Sequence, residues 1–143
     1  MKPITRQEHL KRINIVVDYI SRHLDEKLDL DKLSQMSAIS PYHFHRIMSS
    51  YLGEPIGSYI IRCRLEAGST LLKYSSHQVD EIAYKIGYDS PASFTKAFKK
   101  YFGVSPTEFR NMNTPITMKT LITDKSLPYG FKLKPEIADR TTR

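Results

Sequence analysis

Residues Ser90 to Gly103 read SPASFTKAFKKYFG, and fifty positions earlier Ser40 to Gly53 read SPYHFHRIMSSYLG on the same template. Serine and proline are followed, at fixed intervals, by Phe, then Met or Phe, then Tyr, Leu or Phe, and Gly. On a helix, Phe44, Ile47, Met48 and Tyr51 fall at i, i+3, i+4 and i+7, as do Phe94, Ala97, Phe98 and Tyr101, so each copy carries one apolar stripe. Ser40 and Ser90 are suited to N-cap positions and Pro41 and Pro91 to the first helical turn, while Gly53 and Gly103 can end each helix in a left-handed conformation. Each copy is therefore a bounded helix of about three turns. The outward face carries Tyr42, His45, Arg46 and Ser49 in the first copy and Ser93, Thr95, Lys96, Lys99 and Lys100 in the second.

Working outward, Ile13, Val16, Val17, Ile20 and Leu24 repeat at helical spacing after a loose start over Met1 to Gln7. Asp29 caps a short helix with Leu30, Leu33 and Met36, and only Ser37 to Ile39 separate it from Ser40. A short helix, a tight turn and a second helix with a polar face make the helix-turn-helix pattern. Pro55 opens a longer helix to about Lys73, with Ile56, Tyr59, Ile60, Cys63, Ala67 and Leu71 on one side. At ~1.5 Å per residue it is about 27 Å long and reads as a rigid spacer. Val79, Ile82, Ala83 and Ile86 repeat the short helix, Gly87 to Asp89 the turn, and Ser105-Pro106 to Phe109 a last short helix.

The predicted fold is all-α, with about seven helices. Its parts are a first helix-turn-helix subdomain over 8–54, a linker helix over 55–74, a second subdomain over 75–112, and a linker or tail over 113–143. In that tail Thr114-Pro115, Leu127-Pro128 and Lys134-Pro135 break any helical period, leaving Thr117 to Ile122 and Phe131 to Leu133 as short strand candidates.

The 143 residues, 40% hydrophobic, suffice for one domain or two very small ones, and the repeat favours two. Net charge is +7, from 22 Lys and Arg against 15 Asp and Glu, which favours an acidic partner, nucleic acid before membrane. Residues 111–143 hold six of those cations against three acids, leaving only +4 on the rest. The charge is supportive; the repeat carries the inference. A single cysteine, Cys63, excludes an intramolecular disulfide. With no signal-peptide pattern and no membrane-length apolar run, the expectation is a reducing, soluble compartment. No phosphate loop, zinc spacing or Ser/His/Asp context points to an enzyme or to a cofactor, and Glu66, Asp80 and Glu81 are expected on outer helical faces. His43 and His45, two apart on a helix, diverge too far to share a metal.

A helix of this size fits the major groove of B-DNA, where residues in its N-terminal half reach base edges. Arg46 can donate a bidentate pair to guanine, with His45 and Tyr42 beside it; Ser93, Thr95 and Lys96 are the corresponding set in the second copy. Ser40, Ser49, Arg62, Arg64, Ser90, Lys99 and Lys100 are the candidate phosphate contacts, and Lys73 joins them or is simply solvated. Two such readers on one chain would engage successive major-groove segments roughly 34 Å apart. The rival readings are a helical module that binds protein rather than DNA, and a ligand sensor whose pocket the tail completes.

Residues Asn14 to Arg110 resemble the DNA-binding region of the AraC/XylS family of bacterial transcription regulators. The strongest part is Arg64-Leu65, Gly68, Leu71, Ile82-Ala83, Gly87-Tyr88, Ser90, Phe94, Phe98, Gly103 and Ser105-Pro106. The resemblance implies transcriptional control on double-stranded promoter DNA in the bacterial cytoplasm, at the nucleoid, often by recruiting RNA polymerase. It also extends the second-helix readers to Pro91 and Ala92, where the chain departs from members that place polar residues there. The tail, with Phe131-Lys132-Leu133-Lys134-Pro135-Glu136-Ile137, resembles the members in which a gyrase-inhibitor-like effector domain follows. A small-molecule effector is implied only if such a domain exists.

Overall fold

The computed structural model describes residues 5–112, in which seven α-helices and no strand occur. They are α1 (Arg6–Arg22), α2 (Leu30–Ser37), α3 (Pro41–Leu52), α4 (Ile56–Tyr74), α5 (Val79–Lys85), α6 (Pro91–Phe102) and α7 (Pro106–Asn111). The expected strands of the tail lie outside the described residues.

Helix α1 begins earlier than its apolar stripe suggests, because the Thr5 side chain accepts from the Glu8 amide at 3.1 Å and caps it. Its stripe, Ile13, Val16, Val17, Ile20 and the following Leu24, is buried. Asp29 caps α2 by accepting from the Asp31 amide at 2.9 Å. The turn after α2 rests on Ala38, a non-glycine residue in the left-handed region at φ 59°. Side chains hold that turn from both sides: Arg12 donates to the Ala38 carbonyl at 3.1 Å and Ser34 to the Ile39 carbonyl at 2.8 Å. Ile39 is thereby kept in the core.

The two repeated helices end alike, at Gly53 (φ 77°) and Gly103 (φ 83°), but they start differently. Ser90 accepts from the Ser93 amide at 3.1 Å, whereas Ser40 occupies the N-cap position without a side-chain capping bond. Phe44 and Met48 of α3, and Phe94, Phe98 and Phe102 of α6, are buried. Around α6 the core is aromatic, with Phe98 centred 5.3 Å from Phe109 and 5.5 Å from Phe94, each pair near edge-to-face.

Helix α4 differs most from its sequence expectation. The predicted face, Ile56, Tyr59, Ile60, Cys63, Ala67 and Leu71, is buried, but so are Arg62, Leu65, Glu66, Gly68, Ser69 and Leu72. The helix is covered from several directions because α3, α5, α6 and α7 all pack on it. Gly68 shows how closely: a Cβ there would come within 3.0 Å of Ile86 and Phe94. Helix α4 lies within one continuous hydrophobic cluster running from Ile13 to Phe109. No helix among the described residues is long and apolar enough to cross a membrane.

Candidate nucleic-acid interface

Burial of the α3 stripe leaves the other face of that helix in solvent. Tyr42 is 88% exposed, and His43, His45 and Arg46 are exposed around it. Tyr42 and His43 meet edge-to-face at 4.9 Å between ring centres. Arg46 Nη2 lies 3.1 Å from His43 Nδ1. A guanidinium only donates, so in this contact Nδ1 is the accepting atom. Sequence reading set His43 aside as diverging from His45, yet its i,i+3 relation to Arg46 was the available signal.

On α6, Ala92, Ser93 and Lys96 are exposed, while Pro91 and Thr95 are half-buried. Ser93 is engaged locally, its amide donating to Ser90 Oγ and its hydroxyl accepting from the same oxygen at 3.0 Å. Lys99 and Lys100 are exposed in the last turn. Neither α3 nor α6 contains an Asp or Glu, so neither exposed face carries a negative charge. Such faces are matched to a polyanion.

The candidate phosphate residues divide. Ser40 is exposed, Ser49 and Ser90 are half-buried, and Lys99 and Lys100 point to solvent. Arg62, in contrast, is 8% exposed and turned inward. Its Nε donates to Glu54 at 2.9 Å and its Nη1 lies 3.7 Å from Glu66, so its guanidinium is engaged with carboxylates inside the fold. Arg64 is also committed internally, donating through Nε to the Leu24 carbonyl at 3.1 Å and through Nη2 to the Glu26 carbonyl at 2.8 Å. Lys73 lies over the Phe109 ring, 5.4 Å from its centre, as a cation–π contact.

Glu66 is likewise not on an outer face; it is 3% exposed. Burial pushes its carboxyl up to about 7, against the opposing pull of Arg62 and of the Tyr101 hydroxyl. Burial similarly pushes the Cys63 thiol up to about 12, leaving it a packed, unreactive side chain. A period-3.6 reading could not foresee these positions, because it assigns one buried face per helix and α4 has neighbours on more than one. Among the described residues no group of three His, Cys, Asp or Glu gathers in a way that could hold a metal ion.

Comparison with known proteins agrees with this geometry. A family described as "Helix-turn-helix domain" matches residues 33–112. The chain is similar to the HTH-type transcriptional activator AarP of Providencia stuartii, at 35% identity over 102 residues, 71% of this chain and 76% of that protein. It is similar to the multiple antibiotic resistance protein MarA of Escherichia coli, at 31% identity over 101 residues, 71% of this chain and 80% of that one. Its match to the regulator YbfP of Bacillus subtilis, at 30% identity, spans only 37% of that protein. Among solved structures, the DNA-binding domain of AdpA in complex with a target DNA aligns with a TM-score of 0.66 and 29% identity, over 69% of this chain and 89% of that one. With two exposed, acid-free helix faces on a shared helical core and these relatives beside them, the chain belongs to the AraC-type helix-turn-helix family of DNA-binding transcription regulators, a family that is not one of enzymes.

Proposed function

We propose that the chain regulates transcription by placing α3 and α6 in successive major-groove segments of double-stranded DNA, with 8–54 and 75–112 as the two reading units and α4 between them. The observation that carries this is the pair of repeated helices whose apolar stripes anchor them in one core while their N-terminal halves stand exposed. Tyr42, His45 and Arg46 read bases in the first segment. Pro91, Ala92, Ser93, Thr95 and Lys96 face the second, where Lys96 supplies the charge and the Ser90–Ser93 bonding limits direct readout. Ser40, Ser49, Ser90, Lys99 and Lys100 hold phosphates, which position without specifying sequence.

The name of AarP as a transcriptional activator supports activation. The family resemblance of the sequence supports RNA polymerase as the partner on the promoter and the bacterial cytoplasm, at the nucleoid, as the place of action. The resemblance of residues 131–137 to the opening of a gyrase-inhibitor-like domain supports a longer regulator in which a small molecule is sensed beyond this region.

The test is selection of bound duplexes from a random pool at near-physiological salt, followed by footprinting. The expected result is a consensus with two protected boxes about one helical turn apart. Retention without consensus, falling steeply with salt, would mean electrostatic binding only. That result would favour a helical protein-interaction module instead.

A further inference from the structure

Three parts of the chain meet at one point beside α4. Arg64 leaves the middle of that helix and forks onto two carbonyls of the segment after α1, Leu24 at 3.1 Å and Glu26 at 2.8 Å. Gly87, in the turn that leads into α6, packs onto the same place. A Cβ on Gly87 would fall 2.0 Å from the Leu24 carbonyl oxygen and 2.7 Å from Arg64 Nε, and its φ of +100° is one that side-chain-bearing residues rarely adopt. The Leu24 oxygen belongs to the unit that carries α3, and Gly87 to the unit that carries α6.

Arg110 makes the same fork elsewhere. Its Nε donates to the Leu72 carbonyl at 2.9 Å and its Nη2 to the Ser75 carbonyl at 3.2 Å, joining α7 to the end of α4. That fork stays on the second unit's side of the molecule. The Arg64 fork joins α4 to the segment after α1 at the point where the turn before α6 also packs. Two charge-assisted bonds from one planar group set both distance and direction, which a single ammonium cannot do.

We propose that Arg64 is a positioning residue for bipartite recognition: its fork, with Gly87 seated against it, fixes the offset between α3 and α6 and so restricts the chain to target sites with one spacing between boxes. This rests on the two-box reading above. Inserting or removing one base pair moves the second box by about 3.4 Å and rotates it by roughly 35°. A fixed pair of readers can follow only by deforming the DNA.

The experiment uses the full chain and the selected duplex, with the spacer at its optimum and one base pair longer or shorter. The wild-type protein is expected to lose about tenfold or more in affinity on either altered spacer. R64A is expected to bind the optimal site more weakly but to lose less than about threefold on the altered ones. R110A is expected to keep the wild-type ratio. R64Q, which keeps one donor group, gives the same readout if R64A does not fold. A folded R64A or R64Q with the wild-type spacer ratio overturns the proposal, as does a wild-type protein that protects two boxes but ignores their spacing. Protection of a single box would instead overturn the two-box reading itself.

Discussion

The Tyr101 hydroxyl, on α6, donates to Glu66 Oε1 in the interior of α4 at 3.3 Å. The exposed face of α6 is thus backed by a buried carboxyl whose proton is held up to about pH 7 by burial.

That relationship makes stability depend on pH in a defined direction. An acid whose folded pKa is raised above its ordinary value near 4.5 binds its proton more tightly when folded. Its contribution therefore favours the fold at low pH, declines as pH rises from about 4.5, and is lost above about 7. Glu66→Gln keeps an acceptor for Tyr101 and cannot ionise. Unfolding free energies from urea titrations between pH 5 and 8 are expected to fall less with pH for the variant, the difference reaching at most roughly 3 kcal/mol. Parallel profiles would show that Glu66 does not hold its proton.

Arg62 separates a structural cation from a phosphate contact. Removing it strands Glu54 and Glu66 in or near the core, so Arg62→Ala is expected to destabilise the fold by about 3 kcal/mol. The slope of log affinity against log salt should stay unchanged. Lys99→Ala is expected to do the opposite, leaving stability alone and reducing that slope by about 0.9. Denaturation and salt titration of the two variants check both; a reduced slope for Arg62→Ala would return that residue to the DNA.

Two glycines with positive φ should respond unequally. Gly103→Ala meets nothing within 4 Å and carries only its left-handed backbone, so a loss of about 1–2 kcal/mol is expected. Gly87→Ala adds a collision with the Leu24 carbonyl, and the loss should be at least twice as large or prevent folding. Thermal unfolding of both variants decides it. Equal losses would mean that the Leu24–Gly87 approach relaxes at little cost.

The Arg46–His43 bond bears on readout. Arg46→Ala is expected to weaken binding to the selected site by about 1–3 kcal/mol and to relax preference at one base pair. His43→Ala should reproduce part of that loss, and His43→Asn, whose side-chain oxygen can replace Nδ1 as acceptor, should restore it. In the Arg46→Ala background, His43→Ala should add little, because the two act as one unit. Additive losses would assign His43 a contact of its own.

Much of the architecture is local and was legible before any tertiary information. The stripe at Phe44, Ile47, Met48 and Tyr51, the caps at Asp29, Ser90 and Ser105, and the left-handed stops at Gly53 and Gly103 each depend on residues within one or two turns. Ser40 was the local exception, taking the cap position without the capping bond. The exposed residues Tyr42, His45, Arg46, Ser93 and Lys96 were legible for the complementary reason, that once one face of a short helix is apolar the opposite face meets water.

The cations and acids of α4 were not legible in that way. Arg62, Arg64 and Glu66 carry the side chains of a solvated helix face, yet their places are set by Glu54, Leu24, Glu26 and Tyr101, which lie 8 to 40 positions away. The sequence by itself therefore determined the helices, the repeat and the polar faces offered to a partner, because periodicity and capping act over a few residues. Only the tertiary structure decided that α4 lies in a shared core with ion pairs inside it and that the Arg64 guanidinium is spent on the Leu24 and Glu26 carbonyls, because burial depends on what packs against every side of a helix.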